Sequence, residues 1–337
     1  MDYTVAMQRA IALSEKGLGK TAPNPIVGAV IIDDDGTVIG EGFHDRMKSK
    51  AHAEVVAIAN ATKNLKGATI IVTLEPCNHS GSTGPCTQAI IDAGISTVVF
   101  AVNDPNSVAS GGVDTLRSAG IKVVEGVLKE EAAYANRAWL MKIKKNRPFF
   151  TWKVATTLDA KIAATDGTSK WITNETSRAD VQILRRQADA ILVGTNTVIT
   201  DDPHLIPRGD FAGYSHNPIR VICGEQEFPK DAQVFDSAAQ TVVVKSKDLD
   251  LLVEKLNELE INQVFVEAGM TLASAMVDHC LMDELVIYQA PTLLGSGKPF
   301  FTLNFPSTIS NQMRLDHIST VVLEGDVKSV YRIRNGE

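Results

Sequence analysis

The chain has 337 residues, of which 44% are hydrophobic and 22% are charged, and its net charge is −7. The length predicts two domains, and the composition is that of a soluble globular protein. A negative net charge argues against a broad nucleic-acid surface, because such a surface needs excess lysine and arginine to neutralise phosphates. The first 25 residues lack the apolar core of a signal peptide, and no apolar run is long enough to span a bilayer. We therefore expect a cytoplasmic protein that neither enters a membrane nor binds nucleic acid.

The first half of the chain predicts an α/β layer. Strands are expected at 27–33, 37–43, 69–73, 98–102 and 122–124, and helices at 3–16, 53–62 and 86–93. Residues 104–112 are expected to form a loop. Residues 129–147 predict one charged helical stretch that ends in a basic run before Pro148, and we take it as the connection between the domains.

A metal-binding pattern lies within this first half. His52-Ala53-Glu54 is followed by Pro76-Cys77 and Pro85-Cys86. The pattern places His52 at a helix start, Cys77 at a strand end and Cys86 in the first turn of another helix. The partial positive charge of a helix N-terminus favours the thiolate form that binds metal.

The three side chains offer Zn²⁺ one nitrogen and two sulfur ligands, which leaves the fourth tetrahedral position open for water. Bound zinc makes hydroxide available at neutral pH, and Glu54 would carry protons from this water to a departing amine. H-x-E followed by two cysteines is the constellation of zinc-dependent nucleobase deaminases. His79 could be a fourth ligand of a closed structural site, but the H-x-E element would have no purpose there.

The second half predicts another α/β domain, with strands alternating with helices in a layered sheet. Strands are expected at 149–155, 190–193, 219–222, 241–244, 263–266, 285–288 and 327–333, and helices at 174–187, 248–260 and 271–279. Neither a dinucleotide-binding nor a P-loop glycine motif occurs. Glu267-Ala268-Gly269, at a strand end and a helix start, is either an anion site or a plain helix start. Cys223 and Cys280 are expected to be buried thiols.

These residues carry a family resemblance over nearly the whole chain. The two halves resemble, in this order, the domains of the bifunctional riboflavin biosynthesis enzymes, diaminohydroxyphosphoribosylaminopyrimidine deaminase and 5-amino-6-(5-phosphoribosylamino)uracil reductase. In the first half the marks are Pro23-Asn24-Pro25-x-Val27-Gly28, His52-Ala53-Glu54, Glu75-Pro76-Cys77-Asn78-His79 through Pro85-Cys86, and Asn103-Asp104-Pro105-Asn106. In the second half they are Lys153-x-Ala155, Leu158-Asp159, Trp171-Ile172-Thr173, Asp201-Asp202-Pro203-x-Leu205, Glu267-x-Gly269 and Ala290-Pro291-x-Leu293-Leu294-Gly295. The eight residues between the two cysteines distinguish this pattern from that of cytidine and tRNA deaminases.

The resemblance implies a cytidine-deaminase-like α/β/α domain over residues 1–146 and a dihydrofolate-reductase-like α/β domain over residues 147–337. The first would use Zn²⁺ to deaminate 2,5-diamino-6-ribosylamino-4(3H)-pyrimidinone 5′-phosphate. The second would use NADPH to reduce the ribosyl group to ribityl, and the family usually self-associates through this domain.

Three other hypotheses remain at this point. The second half could have lost reduction and serve only binding or oligomerisation. The chain could be a nucleic-acid-editing deaminase, which its negative charge and long inter-cysteine loop disfavour. It could also be a zinc-stabilised binding module without catalysis.

The resemblance also implies roles for individual residues. Around the pyrimidine of the deaminase substrate it places Asn24, His44 and His79. The cofactor contacts of the reductase would be Ala155, Trp171, Thr197, Asp201, Gly269, Met270, Thr271 and Leu272. Its substrate contacts would be Lys153, Ser169, Arg185, Leu205, Arg208 and Glu267. Arg185 and Arg208 suit the substrate phosphate because a guanidinium binds phosphate through two parallel hydrogen bonds.

Several positions depart from the usual family pattern. Ser82 and Gly84 replace an arginine and a proline in the zinc loop, which removes one cation near the deaminase substrate, and Lys50-Ala51 replaces the usual Glu-Pro ahead of His52. Ala160 and Ala268 stand where glycine is usual. If Ala268 had positive φ, strain of about 1 kcal/mol would weaken NADPH binding a few-fold.

Overall fold

The computed structural model describes residues 2–79, 84–106, 111–209, 216–302 and 308–334. The chain divides into two compact units, Met1–Asn146 and Arg147–Glu337, and each is described by itself below. Within the described residues, no helix is both long and apolar enough to cross a bilayer.

Unit 1, residues 1–146, is built on one five-stranded sheet. Its strands are β1 (Gly28–Ile32), β2 (Val38–Phe43), β3 (Thr69–Leu74), β4 (Thr97–Val102) and β5 (Lys122–Glu125). Its helices are α1 (Thr4–Glu15), α2 (Ala53–Ala59), α3 (Cys86–Asp92), α4 (Gly112–Ser118), α5 (Lys129–Ala135) and α6 (Arg137–Lys145). The strand order is β2-β1-β3-β4-β5, with β1 antiparallel to both neighbours and β3, β4 and β5 parallel.

Helices cover both faces of this sheet because its central strands are apolar on both sides. Successive strand side chains point to opposite faces, so Ile70 packs with α2, α3 and α4, while Ile71 packs with α1, α5 and α6. The result is the α/β/α layering that the family resemblance implies. Glycine allows α2 to approach β2 closely, since a Cβ on Gly42 would lie 2.5 Å from the carbonyl oxygen of Ala53.

Unit 2, residues 147–337, contains a larger mixed sheet. Its strands are β6 (Phe149–Thr157), β7 (Lys161–Ala164), β8 (Ala190–Gly194), β9 (Ile219–Cys223), β10 (Thr241–Val244), β11 (Gln263–Val266), β12 (Glu284–Ala290), β13 (Gly297–Pro299), β14 (Leu315–Leu323) and β15 (Asp326–Ile333). Its helices are α7 (Glu175–Gln187), α8 (Thr195–Asp201), α9 (Leu249–Glu258) and α10 (Met270–Asp278).

The eight-stranded sheet has the order β10-β9-β8-β11-β6-β12-β15-β14. The strands from β10 to β12 are parallel, and the β14–β15 hairpin closes one edge antiparallel. On one face Phe150 and Val264 pack with α9 and α10; on the other Phe265 packs with α7 and α8. The strands β7 and β13 form a separate two-stranded sheet.

Most predicted elements are confirmed, with shifted ends, and the differences have local causes. The stretch 129–147 is two helices, because Asn136 interrupts it and its side-chain oxygen accepts a hydrogen bond from the Ile26 N–H at 3.2 Å. The helices α4 and α8 and the strands β7, β13 and β14 were not predicted. Cys223 is buried as expected, but Cys280 is exposed, because it follows α10 with φ of 53° and turns away from the core.

Candidate active sites

Three segments of unit 1 bring together the predicted metal ligands. His52 precedes the first residue of α2, Cys77 follows β3, and Cys86 begins α3. The Nδ1 of His52 lies 3.6 Å from the sulfur of Cys77 and 3.3 Å from that of Cys86. The three candidate ligand atoms lie within 4.8 Å of one another, and His79 is not part of the cluster. One nitrogen and two sulfurs at this spacing fit Zn²⁺ with an open fourth position.

The three groups also adjust each other's ionisation. The Cys86 thiol donates a hydrogen bond to Cys77, which, with help from His52 and against the effect of burial, lowers the Cys77 pKa to about 4. The same hydrogen bond and burial raise the pKa of Cys86, and the contact with Cys77 raises the pKa of His52. The cluster thus shares protons around one thiolate, and a divalent cation would displace those protons on binding.

Glu54 lies in the first turn of α2 beside this cluster and is 3% exposed. Burial raises the pKa of its carboxyl group, and the nearby His52 only partly opposes this shift. A raised pKa favours the protonated form of a carboxyl group, and a carboxyl group beside a reacting centre can act as a general acid and base. This is the property that the sequence-based role of Glu54 requires.

A cavity of about 310 Å³ opens next to the cluster. The predicted residues in its wall are Asn24, His44, His52, Glu54, Cys77 and His79. Cys86 lies behind the wall and is fully buried. Nδ1 of His79 is also buried, and no described group forms a hydrogen bond with it.

Hydrogen bonds define the state of His44. Its Nδ1 lies 3.0 Å from the carbonyl oxygen of Ala51, so Nδ1 carries the proton and donates it. Its Nε2 then accepts from the side-chain amide of Asn24 at 3.3 Å. Burial lowers the pKa of His44, which favours this neutral tautomer. The interaction fixes the orientation of the Asn24 amide in the cavity wall.

The cavity is also lined by residues that were not among the predicted site residues. They include Glu75, Asp104, Asn106, Trp139 and Ile143. The backbone N–H of Asp104 donates to Glu75 at 3.3 Å, and burial raises the pKa of the Asp104 carboxyl group. Glu75, Asp104 and Asn106 stand inside motifs that carried the resemblance and could have been identified from them. Trp139 and Ile143 belong to α6, which was read only as a connection.

Of the two unusual zinc-loop residues, Ser82 lies outside the described residues, and Gly84 is exposed just before α3.

A second cavity, of about 430 Å³, belongs to unit 2 and lies at the carboxyl ends of β6, β8 and β11. The predicted residues in its wall are Lys153, Ala155, Ser169, Trp171, Arg185, Thr197, Asp201, Arg208, Glu267 and Gly269. Met270, Thr271 and Leu272 form the first turn of α10 and are outside this wall. Leu205 is also outside it, because its side chain is 2% exposed and packs in the core with α7. Its contact with substrate stays a prediction.

A cluster of charges occupies the base of this second cavity. The Arg185 guanidinium donates to Glu267 at 2.6 and 3.1 Å, and both side chains are about nine-tenths buried. Burial lowers the pKa of Lys153, with Arg185 adding to the effect and Glu267 opposing it. Burial would raise the pKa of Glu267, but Arg185 and Lys153 outweigh it and lower that pKa. With Arg208 nearby, three cations surround one carboxylate, an arrangement that suits an anionic ligand.

Further residues of this wall were not predicted. They include Ile162, Lys170, Thr173, Arg178, Gln182, Asn196, Thr200 and Phe300. Arg178 lies 4.7 Å above the ring of Trp171, which is 66% exposed. The side-chain oxygen of Gln182 accepts from the backbone N–H of Arg208 at 3.1 Å and so fixes the segment that carries this arginine. Apart from Thr173, which stands in a quoted motif, these positions had no sequence signal.

The two unusual alanines differ in conformation. Ala160 has φ of 61°, in the left-handed region that favours glycine, whereas Ala268 does not have positive φ. The strain therefore falls in the turn between β6 and β7 and not at the start of α10. In that turn the Asp159 carboxylate accepts from the N–H groups of Leu294 and Gly295 at 3.1 and 2.7 Å.

Known protein families and relatives match both halves of the chain. Residues 2–102 match the cytidine and deoxycytidylate deaminase zinc-binding region, and residues 148–327 match the RibD C-terminal domain. The chain is 42% identical over 315 residues to the riboflavin biosynthesis protein RibD of Aquifex aeolicus, covering 86% of this chain and 87% of that protein. For the RibD protein of Escherichia coli K12 the identity is 38% over 324 residues, covering 86% and 88%.

Solved structures agree over almost the full length. A diaminohydroxyphosphoribosylaminopyrimidine deaminase/5-amino-6-(5-phosphoribosylamino)uracil reductase from Thermotoga maritima superposes with a TM-score of 0.89 at 36% identity, covering 98% of this chain and 99% of that one. Acinetobacter baumannii RibD superposes with a TM-score of 0.88 at 35% identity, covering 98% of both chains. These matches confirm the expected deaminase-like and reductase-like folds. The chain belongs to the RibD family, the bifunctional deaminase/reductases of riboflavin biosynthesis.

Proposed function

We propose that residues 1–146 deaminate 2,5-diamino-6-ribosylamino-4(3H)-pyrimidinone 5′-phosphate and that residues 147–337 then reduce its ribosyl group to ribityl with NADPH. The observation that carries the proposal is the His52–Cys77–Cys86 cluster, which faces a cavity with Glu54 buried beside it. We further propose that the protein acts in the cytoplasm and self-associates through unit 2, as the family resemblance implies.

In the deaminase cavity, His52, Cys77 and Cys86 would hold Zn²⁺, which supplies a water molecule that ionises near neutral pH. Glu54, buried beside the three ligands, would accept a proton from water and deliver one to the departing amine. The released product is ammonia.

Asn24, His44 and His79 would orient the pyrimidine. The neutral His44 accepts a hydrogen bond from the Asn24 amide and so holds this side chain in the cavity wall. Nδ1 of His79 is buried without a hydrogen-bond partner among the described residues, so it can contact a polar edge of the ring. Together these three side chains would recognise the hydrogen-bonding groups along the edge of the pyrimidine ring.

In the second cavity, NADPH would supply the hydride that reduces C1′ of the sugar. The proposed cofactor-binding residues are Ala155, Trp171, Thr197, Asp201 and Gly269, with Met270, Thr271 and Leu272 following on α10. Arg185 and Arg208 would bind the substrate phosphate, with Glu267 orienting Arg185 and Ser169 contacting the substrate. Because burial lowers the Lys153 pKa, this amine can exchange a proton with the opening sugar.

The test supplies the diaminopyrimidinone ribotide and NADPH to purified protein, and ammonia and NADPH oxidation are followed in one sample. We expect ammonia first and then loss of NADPH in equal amount. Glu54→Gln should lower ammonia release by about 10²–10⁴-fold while zinc content stays constant. Ammonia without NADPH oxidation would overturn the reductase assignment, and unchanged ammonia release by Glu54→Gln would overturn the deaminase mechanism.

A further inference from the structure

The deaminase cavity presents an electrostatic problem if its substrate is a ribotide, as proposed above. The phosphate of such a substrate carries about −1.5 to −2 charges at pH 7. Among the residues that the structure describes, the cavity wall contains three carboxyl groups, Glu54, Glu75 and Asp104, and neither lysine nor arginine. A phosphate at the mouth of this cavity needs a cation from just outside the wall.

Two neighbouring segments cannot supply that cation. In the sequence, residues 80–83 follow His79 and residues 107–110 follow Asn106; they read Ser-Gly-Ser-Thr and Ser-Val-Ala-Ser and contain no basic residue. Within unit 1, the cation must therefore come from the described part of the chain.

Arg46 contacts the residue that precedes one segment of the cavity wall. Its Nη1 donates to the carbonyl oxygen of Ala22 at 2.6 Å, and the next residues, Pro23, Asn24 and Pro25, form part of the wall. This contact uses one of the five N–H donors of the guanidinium. Arg46 is exposed, so the remaining donors are accessible from solvent. Its charge also reaches His44 in the wall, where it adds to the larger effect of burial in lowering that pKa.

Two other basic residues, Lys20 and Lys48, each lie within 4.0 Å of the Asp45 carboxylate. Lys20 lies 3.8 Å from the Asp45 carboxylate and 5.9 Å from the centre of the Phe43 ring. Lys48 lies 3.9 Å from the same carboxylate with 82% of its side chain exposed. Among the described residues, no carboxylate oxygen lies within 4.0 Å of the Arg46 guanidinium, so its charge is available to a ligand.

We propose that Arg46 binds the 5′-phosphate of the ribotide in the deaminase site. The hydrogen bond to Ala22 fixes the guanidinium beside the Pro23–Pro25 segment, and its free N–H groups match phosphate oxygens. This contact would anchor the sugar-phosphate end while Asn24 and His79 hold the ring. Arg46 is then a substrate-binding residue that selects phosphorylated over unphosphorylated substrate.

The test compares ammonia release from the ribotide with release from the corresponding dephosphorylated riboside. For Arg46→Ala we expect the ratio of kcat/KM for ribotide to that for riboside to fall at least about tenfold, mainly through a higher KM for ribotide. Arg46→Lys should recover part of the ratio because it keeps the charge. Lys48→Ala is the matched control from the same loop and should leave the ratio unchanged.

Two results would overturn the inference. An equal loss with ribotide and riboside would show that Arg46 only supports the Ala22 segment. A fall of the ratio in Lys50→Ala or Lys142→Ala but not in Arg46→Ala would assign the phosphate to another cation. If the wild-type protein releases no ammonia from either substrate, the proposed function itself fails, and this outcome is distinct from a change in the ratio.

Discussion

Replacing Ala160 by glycine is expected to stabilise unit 2. Ala160 occupies φ of 61° in the β6–β7 turn, where its N–H donates to the Thr157 carbonyl oxygen at 3.0 Å. Left-handed backbone costs a residue with a Cβ about 1–2 kcal/mol, and glycine avoids this cost. Glycine also gains conformational freedom in the unfolded chain, which opposes the benefit by about 0.4–1 kcal/mol. The midpoints of these two ranges give a net stabilisation of about 0.8 kcal/mol.

Thermal and urea denaturation of the full-length protein measure this difference. A gain of 1 kcal/mol raises the melting temperature of a unit of this size by about 2–4 °C. Ala268→Gly is the matched control, because Ala268 does not have positive φ and glycine there only adds unfolded-state entropy. We expect it to be neutral or destabilising by up to about 1 kcal/mol. The reasoning is refuted if Ala160→Gly gives no gain, or if Ala268→Gly gives the same gain.

Three other predictions follow from the charges and ligands. Arg185→Ala should cost about 3–5 kcal/mol of folding free energy, because it leaves the buried Glu267 without its main partner. The control Arg334→Ala, at an exposed pair with Asp316, should cost less than about 1 kcal/mol. Comparable losses for the two variants in urea denaturation would contradict this prediction. Burial raises the Asp189 pKa from 3.8 to about 6, so between these pH values the folded protein binds one more proton than the unfolded chain. This proton stabilises the folded state, and the stabilisation is lost as pH rises through about 6. Asp189→Asn should remove this dependence of stability on pH. The difference in unfolding free energy between wild type and variant should change by up to about 3 kcal/mol between pH 4 and 7. Parallel curves of unfolding free energy against pH would argue against this prediction. Cys86→Ser should purify without bound zinc, whereas Cys280→Ser, at an exposed position away from the cluster, should retain it; equal metal content by atomic absorption would refute the ligand assignment.

The parts of the fold that local pattern controls could be predicted from sequence. The proposed zinc cluster has three ligands on two helix starts and one strand end, and each ligand lies in a short motif. The alternation of apolar residues located nearly all the central strands. These features depend on neighbours along the chain.

The features that escaped prediction depend on contacts between distant segments. The break between α5 and α6 exists because Asn136 binds the backbone of Ile26, which lies 110 residues away. Leu205 stands in a family motif, yet its side chain turns into the core. Trp139 and Ile143 reach the deaminase cavity only because α6 packs on the sheet, so no motif indicated them.

The position of β6 has a consequence for how the protein is made on the ribosome. This strand is the first of unit 2 to be synthesised, but it lies between β11 and β12, and Thr151 meets Glu284 across 133 residues. In unit 1, by contrast, neighbouring strands follow one another closely along the chain. Unit 1 can therefore close during synthesis, while both edges of β6 stay open until β11 has emerged and one edge stays open until β12 has emerged. Premature termination between β6 and β11 would release a folded deaminase unit attached to an aggregation-prone strand.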